Sequence, residues 1–279
     1  MKKPLLYLLL LLLSANIFTF WIIFDYFYLG KGEVSFLDVG QGDAELIQTR
    51  GGNILIDAGP DMSIVQALNK SLPFFDKTLD LFILSHPNKD HFNGLFELLE
   101  RYEIRAVMLN NVFYNDSQYQ KLLQELAEKD ILIIQGVRGV KLSFGGDNLF
   151  VIYPQTMVSS GKDPNEFSQV VSLDLGENYF LFLGDISASQ EKEILPSLPE
   201  NNKLRILKVA HHGSRYSSSW EFLEKFRPQF AIIEVGSNNY GHPHPDTLNR
   251  LSQIGAKIFR TDLDGTIRFK EKMNKPIQQ

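Results

Sequence analysis

Ser85-His86-Pro87-Asn88-Lys89-Asp90-His91 is the stretch that decides how this chain is read. It follows an apolar run at 79–84 and precedes Phe92-Asn93-Gly94-Leu95, so it stands where a buried strand should give way to a helix. Imidazole and carboxylate are the ligand types that hold a hydrolytic metal ion. In α/β proteins, chemistry gathers at the carboxyl ends of strands. Three further clusters stand in the same relation to an apolar run. They are Gly184-Asp185 after 179–183, His211-His212-Gly213-Ser214 after 204–210, and Gly241-His242-Pro243-His244-Pro245 after 230–235. That recurrence points to one site assembled from four strand ends.

Outward from the quoted stretch, residues 34–39, 44–49 and 53–57 read as short strands separated by glycine turns, an antiparallel meander. Alternation follows: helix 64–70, strand 79–84, helix 92–101, strand 106–109, helix 117–129 and strand 131–134. The second half repeats the order. Strands 140–144 and 149–153 lead into a polar loop at 155–168, then a hairpin of 170–175 and 179–183 about Gly176-Glu177. Helix 187–194, strand 204–210, helix 218–226, strand 230–235, helix 245–253 and two final strands complete it. Such an order predicts two mixed sheets face to face with helices outside, an α/β (α+β) four-layer αββα sandwich. No linker or low-complexity tract divides residues 32–279, which read as one domain.

The chain has 279 residues, 44% hydrophobic, enough to bury a sizeable core. Its net charge of -5 leaves no global basic signature, so a nucleic-acid ligand must meet a local basic patch or a metal. With no cysteine, disulfides and thiolate metal sites are excluded, and any metal takes nitrogen and oxygen ligands.

Residues 4–24 carry no Asp, Glu, Lys or Arg, and as a helix they reach about 30 Å, one bilayer core. Lys2 and Lys3 precede the run and Asp25 follows it, which places the bulk of a single-pass protein outside the cytoplasm. Trp21, Tyr26 and Tyr28 would sit near the far interface. Residues 1–31 are therefore expected to be a membrane anchor with a short spacer. A cleaved signal peptide is the competing reading, although its apolar region is usually shorter, about 7–15 residues.

Phe36-Leu37-Asp38-Val39-Gly40-Gln41-Gly42-Asp43-Ala44 resembles the opening signature of the metallo-β-lactamase domain of ComEC-type competence proteins. Leu55-Ile56-Asp57-Ala58-Gly59, His86–His91, Asn165-Glu166-Phe167-Ser168, Leu183-Gly184-Asp185, Lys208-Val209-Ala210-His211-His212-Gly213-Ser214, Tyr240-Gly241-His242-Pro243-His244-Pro245 and Arg260-Thr261-Asp262-Leu263-Asp264-Gly265 match that family in order. The resemblance implies the αββα metallo-β-lactamase fold in a stand-alone, single-anchor form. It also implies a divalent metal, DNA as substrate, and a separate competence channel protein as partner. One departure is Asn88, where the family usually has Asp and the wider superfamily His.

Asp90, His91, Asp185 and one histidine of the His211-His212 pair could fill one firm site. His211 is the choice by its place first after the strand. His86, Asn88 and Asp185 remain for a second, weaker site, with Asp185 bridging. Oxygen-rich ligation makes Mn²⁺ competitive with Zn²⁺. Asp185 could instead cap the helix at 187–194. His212 and Lys208 are expected to join Asp90 and Asp185 in catalysis, Lys208 at a substrate phosphate or in a surface salt bridge. Ser168, Ser214, His242 and His244 are expected at substrate. Asp38, Asp43 and Asp57 are expected to fix turns or support ligand histidines.

A divalent ion lowers the pKa of bound water toward about 7, and no nucleophile elbow or phosphate-cradling P-loop competes with that chemistry here. The expected function is an extracytoplasmic metal-dependent nuclease. The alternatives are a hydrolase of another phosphodiester or ester, such as an envelope polymer, and a non-catalytic domain that binds DNA or a channel.

Overall fold

Two large β-sheets stack face to face between helices in the computed structural model, which describes residues 3–24, 32–110, 114–155, 163–271 and 276–278. In chain order the first half comprises α1 (Lys3–Phe24), β1 (Glu33–Phe36), β2 (Glu45–Thr49), β3 (Gly52–Ile56), α2 (Ser63–Ser71), β4 (Thr78–Leu79), β5 (Leu81–Ile83), α3 (Lys89–Leu99), β6 (Glu103–Ile104), β7 (Ala106–Leu109), α4 (Ser117–Glu128) and β8 (Leu132–Gln135). The second comprises β9 (Lys141–Phe144), β10 (Asp147–Tyr153), β11 (Val170–Leu175), β12 (Asn178–Phe182), α5 (Ala188–Ile194), β13 (Leu204–Lys208), α6 (Trp220–Phe226), β14 (Phe230–Ile233), α7 (Pro245–Gln253), β15 (Lys257–Arg260), α8 (Thr261–Asp264), β16 (Ile267–Lys270) and β17 (Ile277–Gln278).

One sheet runs β17-β16-β1-β2-β3-β5-β7-β8 and the other β15-β14-β13-β12-β11-β10-β9. Each joins an antiparallel part to a parallel part: β3, β5, β7 and β8 are parallel, as are β12, β13, β14 and β15. Between the sheets lies a core of Phe36, Ile54, Ile83, Leu173, Phe180, Phe182, Ile232 and Phe269. A second cluster under α2, α3 and α4 and a third under α5, α6 and α7 bury the outer sheet faces. Four layers, αββα, follow from the central strands having both faces covered, while the edge strands β8 and β9 stay partly open.

The strand read at 79–84 is divided in two. Asp80 turns its carboxylate aside, accepting from Asn53 N at 2.9 Å and from Arg105 Nη1 at 2.6 Å. Helix α3 starts earlier than the reading at 92, so Asp90 and His91 stand on its first turn and Asn88 is its N-cap. The polar loop contains a 3-10 turn at Pro164–Phe167, and residues 156–162 of it lie outside the described residues.

Helix α1 has 22 residues, about 33 Å at 1.5 Å per residue, and its residues 3–22 are not buried against the domain. It is long and apolar enough to cross a membrane by length and composition. Lys2, Asp25, Tyr26 and Tyr28 lie outside the described residues.

Candidate metal centre

The parallel strands deliver their carboxyl ends to one edge of the sandwich. β3 leads to Asp57, β5 to Ser85 and His86, β12 to Asp185, and β13 to His211 and His212. Two glycines let these loops close together. A Cβ on Gly42 would fall 2.3 Å from the Asp90 carbonyl oxygen. One on Gly184, whose φ is +52°, would fall 2.8 Å from Ser168 Cβ. His211 and His212 both take left-handed backbone, with φ 51° at each. That conformation costs roughly 1–2 kcal/mol per non-glycine residue. Such cost is characteristic of sites where side-chain placement matters.

Asp185 Oδ2 is the hub of the cluster. The Nε2 atoms of His91, His211, His86 and His212 stand 3.6, 3.7, 3.8 and 3.9 Å from it. Asp90 joins through Oδ2, 3.4 Å from His212 Nε2, and Oδ1, 3.9 Å from His91 Nε2. Ligands about 2.1 Å from a shared tetrahedral ion lie about 3.4 Å apart, so these spacings suit a cation between them. His86, His91 and Asp185 form one triad of converging ligand atoms, and Asp90, His91 and His212 another. The buried Nε2 atoms of His86, His91 and His212 and Asp185 Oδ1 make no hydrogen bond. Buried polar atoms ordinarily have partners, so three unpartnered Nε2 atoms arranged about the Asp185 carboxylate fit a divalent metal.

The electrostatics agree. Burial opposes ionisation of Asp185, but His91, His212 and His211 outweigh it and hold the carboxyl well below its ordinary range. Burial likewise opposes ionisation of Asp90, where the neighbouring imidazoles of His212 and His91 prevail and lower it. Burial pushes His86 down to about 3, leaving its imidazole neutral. At His91 burial is overcome by Asp185 and Asp57, and the pKa rises well above the ordinary value.

Behind the histidines stands a second rank of buried carboxylates. Asp57 Oδ2 accepts from His91 Nδ1 at 2.7 Å and from Ser85 Oγ at 2.5 Å, and Oδ1 from Ser85 N at 2.8 Å. His212 Nδ1 lies 2.8 Å from the Glu234 carbonyl and 3.2 Å from Asp43 Oδ1. These contacts put the Nδ1 proton at the rear and leave Nε2 as the atom that would face a bound cation. Asp43 also pairs with Lys208 Nζ. Glu45 and Glu234 converge on Asp43, and burial together with the neighbouring Glu234 holds the Glu45 carboxyl well above its ordinary value.

Several expectations change. Lys208, placed at substrate or in a surface salt bridge, is fully buried, with Nζ on Asp43 and 3.3 Å from the Gly184 carbonyl. Ser168 is buried and accepts from Asp185 N at 3.1 Å, so it holds the hub rather than facing substrate. Ser214 is buried in the turn after the histidine pair, its carbonyl accepting from Thr247 Oγ1 at 2.8 Å. His244 caps α7, accepting from Asp246 N at 3.2 Å. His242 does face the cluster, its ring centroid 5.4 Å from that of His211 and 6.5 Å from that of His212. Asp38 is exposed and fixes the turn to Gly40 N. Ser187, not Asp185, caps α5. Asn88 donates from Nδ2 to Asn165 Oδ1 at 2.6 Å. Of the histidine pair, His212 is the buried one that meets Asp90, while His211 keeps a third of its side chain exposed. Glu45 and Glu234 were missed, since acids on apolar strands read as solvent-facing residues. A cavity of about 610 Å³ lined by Gly176, Lys203 and Gln229 lies at the opposite ends of β12 and β13, away from all of these groups.

Fold and site together define a metal-dependent hydrolase architecture. Residues 37–233 match the Metallo-beta-lactamase superfamily, and the chain belongs to it. It is similar to the ComE operon protein 3 of Bacillus subtilis, 31% identical over 87% of this chain and 33% of that protein. It is also similar to the Recombination protein 2 of Haemophilus influenzae, 29% identical over 85% of this chain and 28% of that one. The chain thus spans about a third of the length of these relatives. Among solved structures, the metallo-beta-lactamase fold protein YhfI from Bacillus subtilis superimposes with a TM-score of 0.58 at 12% identity, covering 86% of this chain and all of that one. The match shows the shared fold.

Proposed function

We propose that this chain is a membrane-anchored, metal-dependent phosphodiesterase that cuts DNA on the outer side of the membrane. The observation that carries the reading is the convergence of orphaned histidine Nε2 atoms on the Asp185 carboxylate. The names of the competence and recombination relatives support DNA as the substrate class. Asp90, His91, His212 and Asp185 would hold the firmer ion, either Mn²⁺ or Zn²⁺. His86 and Asn88 would share Asp185 for a weaker one.

When bound, a divalent cation supplies a Lewis acid that activates water and polarises a phosphoryl oxygen. The protein's own groups do the rest. Asp57 and Asp43 hold His91 and His212 in the required tautomer and orientation. Lys208, its pKa lowered to about 7 by burial, pairs with Asp43 inside the fold. His211, partly exposed beside Asp185 and kept neutral by burial, stands where its imidazole can accept a proton from an attacking water. Span-length α1, with Lys2 and Lys3 at its start, supports an outward-facing domain.

A second reading, a non-catalytic domain that binds DNA or a channel protein, draws on Asn88. Its neutral amide is engaged with Asn165 and weakens the His86 side of the cluster. The test is incubation of the purified full chain with single- and double-stranded DNA. Cleavage should need Mn²⁺ or Zn²⁺, stop with chelator, and fall by several orders of magnitude in Asp90→Ala. DNA left intact by a metal-loaded preparation would leave the binding reading in its place.

A further inference from the structure

Tyr240 is 76% exposed, and no core residue packs on it among the described contacts. Its backbone is nevertheless pinned. Asn238 uses its whole amide on the surrounding loop: Oδ1 accepts from Tyr240 N and His242 N, each at 3.1 Å, and Nδ2 donates to the Gly236 and His242 carbonyls, each at 2.9 Å. The Tyr240 ring lies against His242, centroids 6.0 Å apart, and His242 lies against His211 at 5.4 Å. His211 Nε2 is 3.7 Å from Asp185 Oδ2. Two ring contacts therefore link an exposed aromatic face to the hub of the metal centre. The neighbouring loop carries a second exposed ring, Tyr216, with the Arg215 guanidinium 5.4 Å from its centroid. The two loops are tied by His244 N donating to the Gly213 carbonyl at 2.9 Å.

We propose that Tyr240 is a stacking platform for an unpaired nucleobase next to the scissile phosphate, so that the site selects single-stranded nucleic acid. This rests on the phosphodiesterase reading above and assigns its specificity. An exposed aromatic on a pinned loop beside a hydrolytic centre offers a π-face on which any base can stack. Base stacking on such a ring is tolerant of sequence and is worth roughly 1–3 kcal/mol per base, or about 5- to 150-fold in affinity. Bases within a duplex are already stacked on one another and cannot take the ring without unstacking. Arg215 beside Tyr216 supplies a cation suited to the strand's backbone or to a further base.

The experiment measures binding as well as cleavage. Full-length protein in detergent, with Mn²⁺ replaced by Ca²⁺ to slow hydrolysis, is titrated with a short oligodeoxynucleotide carrying 2-aminopurine, with its abasic counterpart, and with a duplex. Wild type should bind the base-bearing single strand about tenfold or more tightly than the abasic one and quench 2-aminopurine. Tyr240→Ala should abolish both the preference and the quench with metal content unchanged, and Tyr240→Phe should keep both. Equal binding of base-bearing and abasic strands by wild type, or an unchanged preference in Tyr240→Ala, overturns the platform. Cleavage in Mn²⁺ is read separately. DNA cut without any base preference removes the platform and keeps the phosphodiesterase. Base-selective binding without cleavage removes the phosphodiesterase and keeps the platform.

Discussion

Asp57→Asn isolates what the buried carboxylates contribute to the metal centre. Asp57 sits at φ 54°, a left-handed conformation that asparagine tolerates, so the substitution keeps both shape and backbone. Three donors face the two carboxylate oxygens: His91 Nδ1, Ser85 Oγ and Ser85 N. An amide has one accepting oxygen and one donating NH₂. If its oxygen keeps Ser85 N, its NH₂ meets His91 Nδ1 and drives the imidazole proton round to Nε2, the atom aimed at Asp185. The charge-assisted hydrogen bond is lost, roughly 1.5–3 kcal/mol. Affinity for the first ion should fall by about 10- to 100-fold, the usual effect of removing a partner behind a ligand histidine. Competition against a fluorescent chelator measures it. Asp38→Asn is the control, because Asp38 is exposed and fixes only a turn. Asp57→Asn that binds Mn²⁺ or Zn²⁺ within twofold of wild type would refute the reasoning.

Glu45 carries the pH prediction. Burial and Glu234 raise its pKa in the folded state above the unfolded value, so the native state binds the extra proton. The associated stability is present in full below the ordinary glutamate pKa and is lost as pH rises through the raised one. Glu45→Gln, which mimics the protonated acid, should flatten that loss in urea melts across pH; an unchanged slope would count against it. Phe180→Ala should cost about 3–5 kcal/mol in chemical denaturation, because the ring is fully buried between the sheets against Phe36, Phe182 and Phe269. A loss below about 1 kcal/mol would mean the sheets do not pack through it. Protease added to intact spheroplasts should digest the domain at once, whereas protection until lysis would reverse the orientation.

The architecture was readable because strands covered on both faces are continuous apolar runs and the helices between them carry period and caps. Helix α7 was read at its observed bounds from Pro245 at its first position. The same His-Pro-Asp start makes His244 the cap of that helix. The site was readable as four strand-end clusters, but not the division of labour within them. His211 and His212 are adjacent in sequence, and their left-handed backbone sets one ring in the buried cluster and the other at its rim. Nothing local signals that turn. Lys208 has its partner Asp43 on a loop distant in sequence, so a lysine at the end of an apolar strand gave no sign of being sealed inside. The bond from Asp185 N to Ser168 Oγ is hidden for the same reason, since it joins two segments 17 residues apart.

Metal content tests the central claim most directly. Full-length wild type, Asp185→Ala, His212→Ala and His244→Ala would be purified without chelator, dialysed against Mn²⁺ or Zn²⁺, and analysed for bound elements. The cluster geometry predicts about one or two ions per chain in wild type. It predicts loss of most of that metal in Asp185→Ala and His212→Ala, and retention in His244→Ala, whose side chain caps a helix. Folded wild type that takes up neither ion, or Asp185→Ala and His212→Ala that keep full content, would contradict the metal centre.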